Sequence, residues 1–273
     1  MKNIFVCCIL ALAFLGVPVP PQETKLPIIM YHLVTENQKY IGAFGISPAQ
    51  LRQDFEYLQS NGYNTVVVSD LIAFVNEGVP LPPNPIMLTF DDGNYSEYKY
   101  LLPLLKEFDK KAVISIMGEA TDRATAEAEK NPKSLHPNLN WAQVAELHNS
   151  GHAEIQSHAF DLHRPPLGSA KKKTESAETY KNRLKDDLQK LQTQCAHHLD
   201  GYMPTAFTYP FGAISADSRE VLEALGMVAS FSCEEGINTI SDSLFKLKRI
   251  NRTSKRSLES IMSYSLTTSM LYI

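Results

Sequence analysis

Short apolar runs alternate with amphipathic helical stretches along most of this 273-residue chain, and this alternation restricts the fold more than any other feature. Residues 86–90 form a continuous apolar run of the length expected for a fully buried strand. Ser47 and Pro48 supply a helix N-cap and a first-turn proline, and Gly62 ends the helical spacing that follows them. The pattern is typical of an α/β fold with a largely parallel sheet.

Seven or eight strands are predicted in all, with helices between most of them. The predicted strands span residues 26–31, 65–68, 86–90, 112–117, 153–156, 206–209, 227–231 and 245–250. The predicted helices run from Pro48 towards Gly62 and over residues 100–108, 141–149, 180–191 and 219–225. Residues 120–140 are polar and are predicted to be irregular. Because no internal linker interrupts the series, a barrel-like single domain accounts for it better than two domains.

Four predicted strands end in polar groups or turns that apolar packing does not explain. They are Asp91 and Asp92 after residues 86–90, His158 and His163 after 153–156, Pro210 and Phe211 after 206–209, and His32 after 26–31. Functional residues of barrels lie where the strands end. Two carboxylates and up to three imidazoles are therefore predicted to converge on one rim.

The two adjacent aspartates are suited to different tasks. On an extended backbone Asp91 and Asp92 point to opposite sides, which disfavours their acting as one clamp on a single ion. One can ligate a metal while the other accepts a proton. Two histidines and one aspartate with an open water position match catalytic zinc sites, in which the metal lowers the pKa of water from about 15.7 to about 7.

Each of these parts also has a structural explanation. Asp-Asp-Gly is common as a turn after a strand, Pro-Phe-Gly is an ordinary turn, and two histidines five residues apart are weak evidence for a metal. Their order along the chain and their shared position at strand ends together favour a functional site.

Two segments resemble the NodB-homology polysaccharide deacetylases, carbohydrate esterase family 4. Residues 86–93, Ile-Met-Leu-Thr-Phe-Asp-Asp-Gly, look like the first motif of that family. Residues 154–163, Glu-Ile-Gln-Ser-His-Ala-Phe-Asp-Leu-His, look like its second motif. The likeness extends from about Leu26 to about Asn251. It implies a distorted (β/α) barrel of about seven strands, in a single deacetylase domain over residues 23–273.

The resemblance also implies an activity and its residues. Asp91 becomes the general base, and Asp92, His158 and His163 become the ligands of a divalent metal, Zn²⁺ with Co²⁺ or Ni²⁺ as alternatives. The implied reaction is hydrolysis of the N-acetyl group of an amino sugar.

Three further residues are assigned to the substrate by position. In the Pro210-Phe211 turn the backbone N–H of Phe211 would help to stabilise the oxyanion. Tyr95 follows the first motif closely enough to touch substrate, although aromatic residues at such spacings are more often part of a core.

The chain departs from the family's third motif, which carries an arginine two residues before the proline. Thr208 stands at that position. Arg249, at the end of the last predicted strand, could supply the cation that keeps Asp91 ionised. A surface arginine is the alternative.

A second departure concerns the general acid. Family members commonly take it from a Leu-x-His motif near the C-terminus, but no histidine follows His198 here. The chain resembles instead the circularly permuted subgroup that deacetylates poly-N-acetylglucosamine of biofilm exopolysaccharide, whose acid histidine follows a tyrosine on the first strand. His32 fits that place, and imidazole titrates near neutrality. A purely structural strand-end histidine is the alternative.

Residues 1–22 predict a signal peptide or an N-terminal anchor. Lys2 precedes the apolar run Ile4–Val19, which leads into a proline-rich stretch. A buried N-terminal strand or helix is the alternative. The predicted location is therefore extracellular or at the cell surface. Two unpaired, buried thiols are favoured for Cys195 and Cys233 over a single bridge.

The predicted function is removal of N-acetyl groups from a polysaccharide that contains N-acetylglucosamine, with exopolysaccharide favoured. Peptidoglycan, chitin oligomers and acetylxylan are alternative substrates, and a non-catalytic carbohydrate-binding relative is the alternative of another class. A net charge of −4 gives no reason to expect nucleic acid as a partner. A monomer without protein partners is expected.

Overall fold

A curled sheet of parallel strands dominates the computed structural model, which describes residues 24–134, 136–240 and 243–263. The predicted export segment, residues 1–22, lies outside the described residues. The strands are β1 (Thr24–Leu26), β2 (Ile28–Tyr31), β3 (Leu33–Val34), β4 (Gly45–Ile46), β5 (Asn64–Thr65), β6 (Pro85–Asp92), β7 (Ala112–Ile116), β8 (Ala153–Ser157), β9 (Ala206–Thr208), β10 (Ala229–Phe231), β11 (Asn238–Ile240), β12 (Leu244–Leu247) and β13 (Ile250–Asn251). The α-helices are α1 (Pro48–Ser60), α2 (Val68–Glu77), α3 (Leu102–Phe108), α4 (Gly118–Lys130), α5 (Trp141–Asn149), α6 (Ala177–His198) and α7 (Ser218–Ala224).

The main sheet has the strand order β12-β10-β9-β8-β7-β6-β2-β13, and β5 also pairs with β6. Its ladders are parallel, and the sheet curls into a half-barrel of eight strands in a single domain. The predicted α/β barrel fold is therefore confirmed. Since all these strands run the same way, their carboxyl ends meet along one rim.

Strand β6 lies inside the sheet, between β7 and β2, and its apolar residues are buried on both faces. Ile86, Met87, Leu88 and Phe90 are fully buried, as expected for an internal strand of a parallel sheet. The neighbouring strand β2 is buried throughout. With the apolar residues fixed in this register, Asp91 at the end of β6 reaches the rim.

Helix α1 begins and ends where the sequence predicts. Ser47 Oγ accepts the N–H of Gln50 at 3.1 Å, and Gln50 Oε1 accepts the N–H of Ser47 at 3.0 Å, which completes a capping box. The buried face of the helix is formed by Leu51, Asp54, Phe55 and Leu58.

Asp54 carries a buried ion pair that fastens the C-terminal segment to α1. Arg252 donates two hydrogen bonds to the Asp54 carboxylate, at 2.8 and 3.0 Å, and the Tyr31 hydroxyl donates a third at 3.1 Å. Burial is the largest influence on the pKa of Asp54 and raises it, although Arg252 and Tyr31 oppose that change.

Two sequence-based assignments were wrong. Residues 120–130 are helical and not irregular, because α4 covers Gly118–Lys130 and buries the small side chains Ala120, Thr121 and Ala124 in place of large apolar ones. Of the predicted strand 65–68 only Thr65 is in a strand, β5 (Asn64–Thr65), and Val68 begins α2. There Glu154 accepts the N–H groups of Val68 and Ser69, which provides the start of a helix.

No helix within residues 24–134, 136–240 and 243–263 is both long enough and apolar enough to cross a bilayer.

Candidate active site and metal centre

Three side chains meet at the rim of the sheet. Oδ1 of Asp92 lies 3.4 Å from Nε2 of His158 and 3.4 Å from Nε2 of His163. One potential ligand atom from each residue lies within 4.8 Å of the other two. Asp92 ends β6, and His158 directly follows β8. The two sequence motifs are therefore brought together in space.

The burial and hydrogen bonding of these three groups suit them to bind a divalent cation. Oδ1 of Asp92 is buried and has no hydrogen-bond partner among the described residues. Nδ1 of His158 lies 2.9 Å from the carbonyl oxygen of Thr208, which only accepts, so Nδ1 carries a proton and Nε2 is the nitrogen left to bind a metal beside Oδ1 of Asp92. Two imidazoles and one carboxylate form a donor set typical of zinc enzymes.

The backbone at the end of β6 explains why both aspartates face the same cavity. Asp92 has φ +80°, outside the extended region, so the alternation of side chains breaks at this residue. Both aspartates line one cavity, but Asp91 is paired with Arg249 whereas Asp92 lies beside the two histidines. Gly93 follows with φ +62°, and a Cβ on it would lie 3.0 Å from Cγ2 of Ile116. The motif requires glycine at this position for both reasons.

Asp91 is paired with a buried arginine. Arg249 donates to its two carboxylate oxygens at 2.7 and 2.9 Å, and also to the Ser232 carbonyl and the Thr89 hydroxyl. Burial raises the pKa of Asp91, but Arg249 and His158 outweigh it and lower the pKa to about 2. The alternative of a surface Arg249 is wrong, because that side chain is fully buried.

Thr208 cannot replace the arginine of the third family motif. Its hydroxyl lies 2.7 Å from Oγ of Ser115, and both residues are buried. The cation beside Asp91 is instead the side chain of Arg249. This residue directly precedes β13, which pairs with β2 at the other end of the sheet.

His32 lines the same cavity as the two histidines and contacts Asp91 and Phe44. Its Nε2 lies 3.9 Å from Oδ2 of Asp91, and its ring contacts the edge of Phe44 with centroids 4.9 Å apart. Burial lowers the pKa of His32, although Asp91 and Asp92 oppose the change. Nδ1 is buried and has no hydrogen-bond partner in the described part of the chain.

Pro210 and Phe211 form a tight 3-10 turn, Pro210–Gly212. Phe211 has φ +57°, and its ring, 47% exposed, packs on His163 with centroids 4.4 Å apart. The N–H of Gly212 donates to the Tyr209 carbonyl, and the N–H of Ala213 donates to the Pro210 carbonyl. Neither bond uses the N–H of Phe211.

These groups line one cavity of about 770 Å³, which we term the active-site cavity. The carboxylates, the three histidines and Phe211 all contribute to it. Tyr95 instead lines an adjoining groove of about 580 Å³, between residues 33–40 and 94–100, which we term the tyrosine groove. Pro210 is buried within the turn and lines neither space.

Several lining residues escape sequence reasoning. Tyr40, Phe44 and Asn251 line the active-site cavity, and among them only Asn251 could have been found, from its position at a strand end. Cys233 also lines the cavity and is an exposed free thiol, so the prediction that it is buried is wrong. Cys195 is free and buried, as predicted.

A family model described as polysaccharide deacetylase matches residues 78–230, more than half of the chain. That range includes both aspartates and both metal-site histidines but neither His32 nor Arg249.

Individual relatives were found by sequence and by structure. The chain is 25% identical over 254 residues to the poly-β-1,6-N-acetyl-D-glucosamine N-deacetylase of Escherichia coli O157:H7, an alignment that covers 82% of this chain and 38% of that protein. A de-N-acetylase from Aggregatibacter actinomycetemcomitans matches with a TM-score of 0.76 and 25% identity, covering 88% of this chain and all of that one. The BpsB deacetylase domain from Bordetella bronchiseptica shares the fold at 24% identity, with a TM-score of 0.69 and coverage of 86% and 98%. The chain thus spans less than half the length of the Escherichia coli relative.

Proposed function

Because this chain belongs to the polysaccharide deacetylase family, we propose that it hydrolyses N-acetyl groups of a polysaccharide containing N-acetylglucosamine, with poly-N-acetylglucosamine exopolysaccharide as the favoured substrate. The observation that carries the proposal is the convergence of Asp91, Asp92, His158 and His163 in one cavity, with His32 close by. The names of the curated relatives support the choice of polymer.

Asp92, His158 and His163 would hold the divalent metal, with Zn²⁺ favoured over Co²⁺ or Ni²⁺. When bound, such an ion polarises the acetyl carbonyl and lowers the pKa of the attacking water to about 7. The protein's part is to keep these three donors at one point, which the Thr208 carbonyl supports by fixing the tautomer of His158.

Asp91 accepts the proton of the attacking water. Its pKa of about 2 keeps it ionised at neutral pH, and the paired Arg249 holds the carboxylate in a single orientation. Water oxygen adds to the carbonyl carbon, and the N–H of Phe211 donates to the carbonyl oxygen as it gains charge.

His32 delivers a proton to the leaving nitrogen when the C–N bond breaks, so that acetate and a free amine are released. Its Nε2 lies 3.9 Å from Oδ2 of Asp91, and its side chain lines the same cavity as the metal donors. Burial lowers the pKa of His32 overall, and both aspartates oppose that change and so favour the protonated imidazole.

Replacing His32 by alanine is expected to lower kcat for acetate release about 10²-fold, since protonation of the amine leaving group is lost. The metal content should remain at the parent level, because His32 is outside the donor set. Steady-state kinetics and elemental analysis check the two expectations. His148→Ala, which removes a half-buried histidine from α5, is the control. A His32→Ala rate within about twofold of the parent would return His32 to a structural role.

Acetate release tests the proposed function directly. Purified protein is incubated with poly-N-acetylglucosamine, chitin oligomers, peptidoglycan or acetylxylan in the presence of Zn²⁺, Co²⁺ or Ni²⁺. We expect acetate and new amines from poly-N-acetylglucosamine, and faster acetate release from this polymer than from the other three. Binding to these polymers without acetate release under any condition would indicate a non-catalytic carbohydrate-binding relative instead.

Export is a further part of the proposal. Residues 1–22 carry a lysine followed by an apolar run, the pattern of a signal peptide or anchor, and an exopolysaccharide substrate is found outside the cell membrane.

A further inference from the structure

The tyrosine groove opens directly beside the active-site cavity. The two share Leu33, Tyr40 and Asn94 as common walls. At about 580 Å³ the groove is within the range of roughly 300–1,000 Å³ found for small-molecule sites. Tyr40, one of the three shared residues, is 56% exposed and so is accessible to a molecule that fills both spaces.

Hydrogen bonds hold the walls of the groove in place. Val34 N–H donates to the Ser96 hydroxyl at 3.2 Å, which joins its two long walls. Tyr95 N–H donates to the carbonyl of Pro137 at 2.8 Å. Tyr40 ends a short 3-10 helix, Gln38–Tyr40, whose N-cap Asn37 accepts the N–H of Lys39. The groove is therefore preformed, and a ligand meets little ordering cost on entering it.

The lining chemistry suits an uncharged sugar ring. Tyr40 and Tyr95 supply flat apolar rings with polar edges, against which the C–H face of a pyranose can pack. The ring of Tyr100 instead faces the Lys99 ammonium group, whose Nζ lies 4.6 Å from the ring centroid. Glu36 and Lys99 add one carboxylate and one ammonium group, both exposed, for hydroxyl or amide partners. Their charges cancel, so the groove presents no net attraction to an ionic ligand.

We propose that the tyrosine groove binds the sugar residue adjoining the one whose N-acetyl group enters the active-site cavity. The inference rests on the proposed function, because it takes a polymeric substrate as given. The proposal is supported by the continuity of the two spaces. A polysaccharide continues beyond the reacting sugar, and the tyrosine groove adjoins the active-site cavity along the shared residues Tyr40 and Leu33.

Acetate release from N-acetylglucosamine and its β-linked di- and trisaccharide tests this groove. In the parent, kcat/KM is expected to rise with the second residue. Tyr95→Ala, which removes one wall ring, should lose about tenfold in kcat/KM on the trisaccharide and less on the monosaccharide. Lys99→Ala changes an exposed position and so does not disturb the core. This second variant should also lose more kcat/KM on the trisaccharide than on the monosaccharide. Lys106→Ala, an exposed lysine on α3 outside both spaces, should leave the length dependence unchanged.

Binding provides an independent measurement. Trisaccharide affinity for the parent, Tyr95→Ala and Lys106→Ala is determined by calorimetry, which needs no turnover. The groove assignment would be overturned if Tyr95→Ala lost kcat/KM equally at every oligomer length, or if its trisaccharide affinity equalled that of the parent. Absence of acetate release from every substrate would overturn the proposed function instead, and calorimetry would still decide whether the groove binds sugar.

Discussion

Replacing Asp91 by asparagine is expected to lower kcat for acetate release about 10²- to 10⁴-fold while the metal stays bound. Asparagine has nearly the same shape, but it cannot accept a proton from the attacking water. Asp91 is outside the donor set formed by Asp92, His158 and His163, so the metal stoichiometry should not change. Steady-state kinetics together with elemental analysis give both numbers on one preparation.

The same substitution leaves Arg249 buried without its counter-charge. Removing one partner of a buried ion pair costs about 3–5 kcal/mol of folding free energy, so a loss of activity could arise from a loss of fold. The chain offers a matched control in Asp54→Asn. Asp54 is also buried and also accepts two hydrogen bonds from a buried arginine, Arg252, but it does not line the active-site cavity.

Asp54→Asn should therefore lose stability to a similar degree and keep kcat near the parent value for the molecules that remain folded. Circular dichroism and thermal unfolding establish the folded fraction of each variant. Equal catalytic losses in the two variants would show that stability alone explains the effect, and full activity in Asp91→Asn would remove Asp91 from the role of base.

The pH dependence of stability has a definite sign at Asp91. Its pKa in the metal-free folded protein, about 2, is below the value of about 3.9 for an unperturbed aspartate. The ion pair therefore contributes stability above about pH 4 and loses it as the pH falls towards 2. The difference in unfolding free energy between the parent and Asp91→Asn should shrink over that same interval.

Sequence reasoning located the parts of the site that depend on local pattern. An apolar run followed by Asp-Asp-Gly fixes where β6 ends, and the capping box at Ser47 fixes the start of α1. Parallel strands must end at one rim, so the meeting of the carboxylates with His158 followed from topology.

Other features depend on contacts between distant parts of the chain and escaped prediction. The start of α2 is provided by Glu154, which is 86 positions away from Val68. Whether Arg249 is buried or exposed depends on how β13 pairs with β2, which no local pattern reveals. The positive φ of Asp92 is another such feature, because the local pattern predicts extended backbone at this last residue of β6. Helix α4 lacked the large apolar stripe by which helices are recognised.

Replacing His163 by alanine is expected to abolish stoichiometric metal binding and, with it, acetate release. Losing an outer-sphere partner of a metal ligand already costs about 10- to 100-fold in affinity, so losing a ligand should cost at least about 10²-fold. His163 is a better target than His158, because its side chain is 26% exposed whereas that of His158 is 3% exposed. Removing His158 would leave a cavity beneath the rim and unpair the Thr208 carbonyl, which would confuse ligand loss with unfolding.

The control is His197→Ala, which removes an exposed histidine near the end of α6. Parent and control, dialysed against equal Zn²⁺, should both retain about one equivalent, and His163→Ala should retain far less at the same unfolding temperature measured without metal. Metal content in His163→Ala equal to that of the parent would exclude His163 as a ligand. Loss of metal without loss of acetate release would separate the ion from the reaction, and Asp91 and His32 alone would then have to account for hydrolysis.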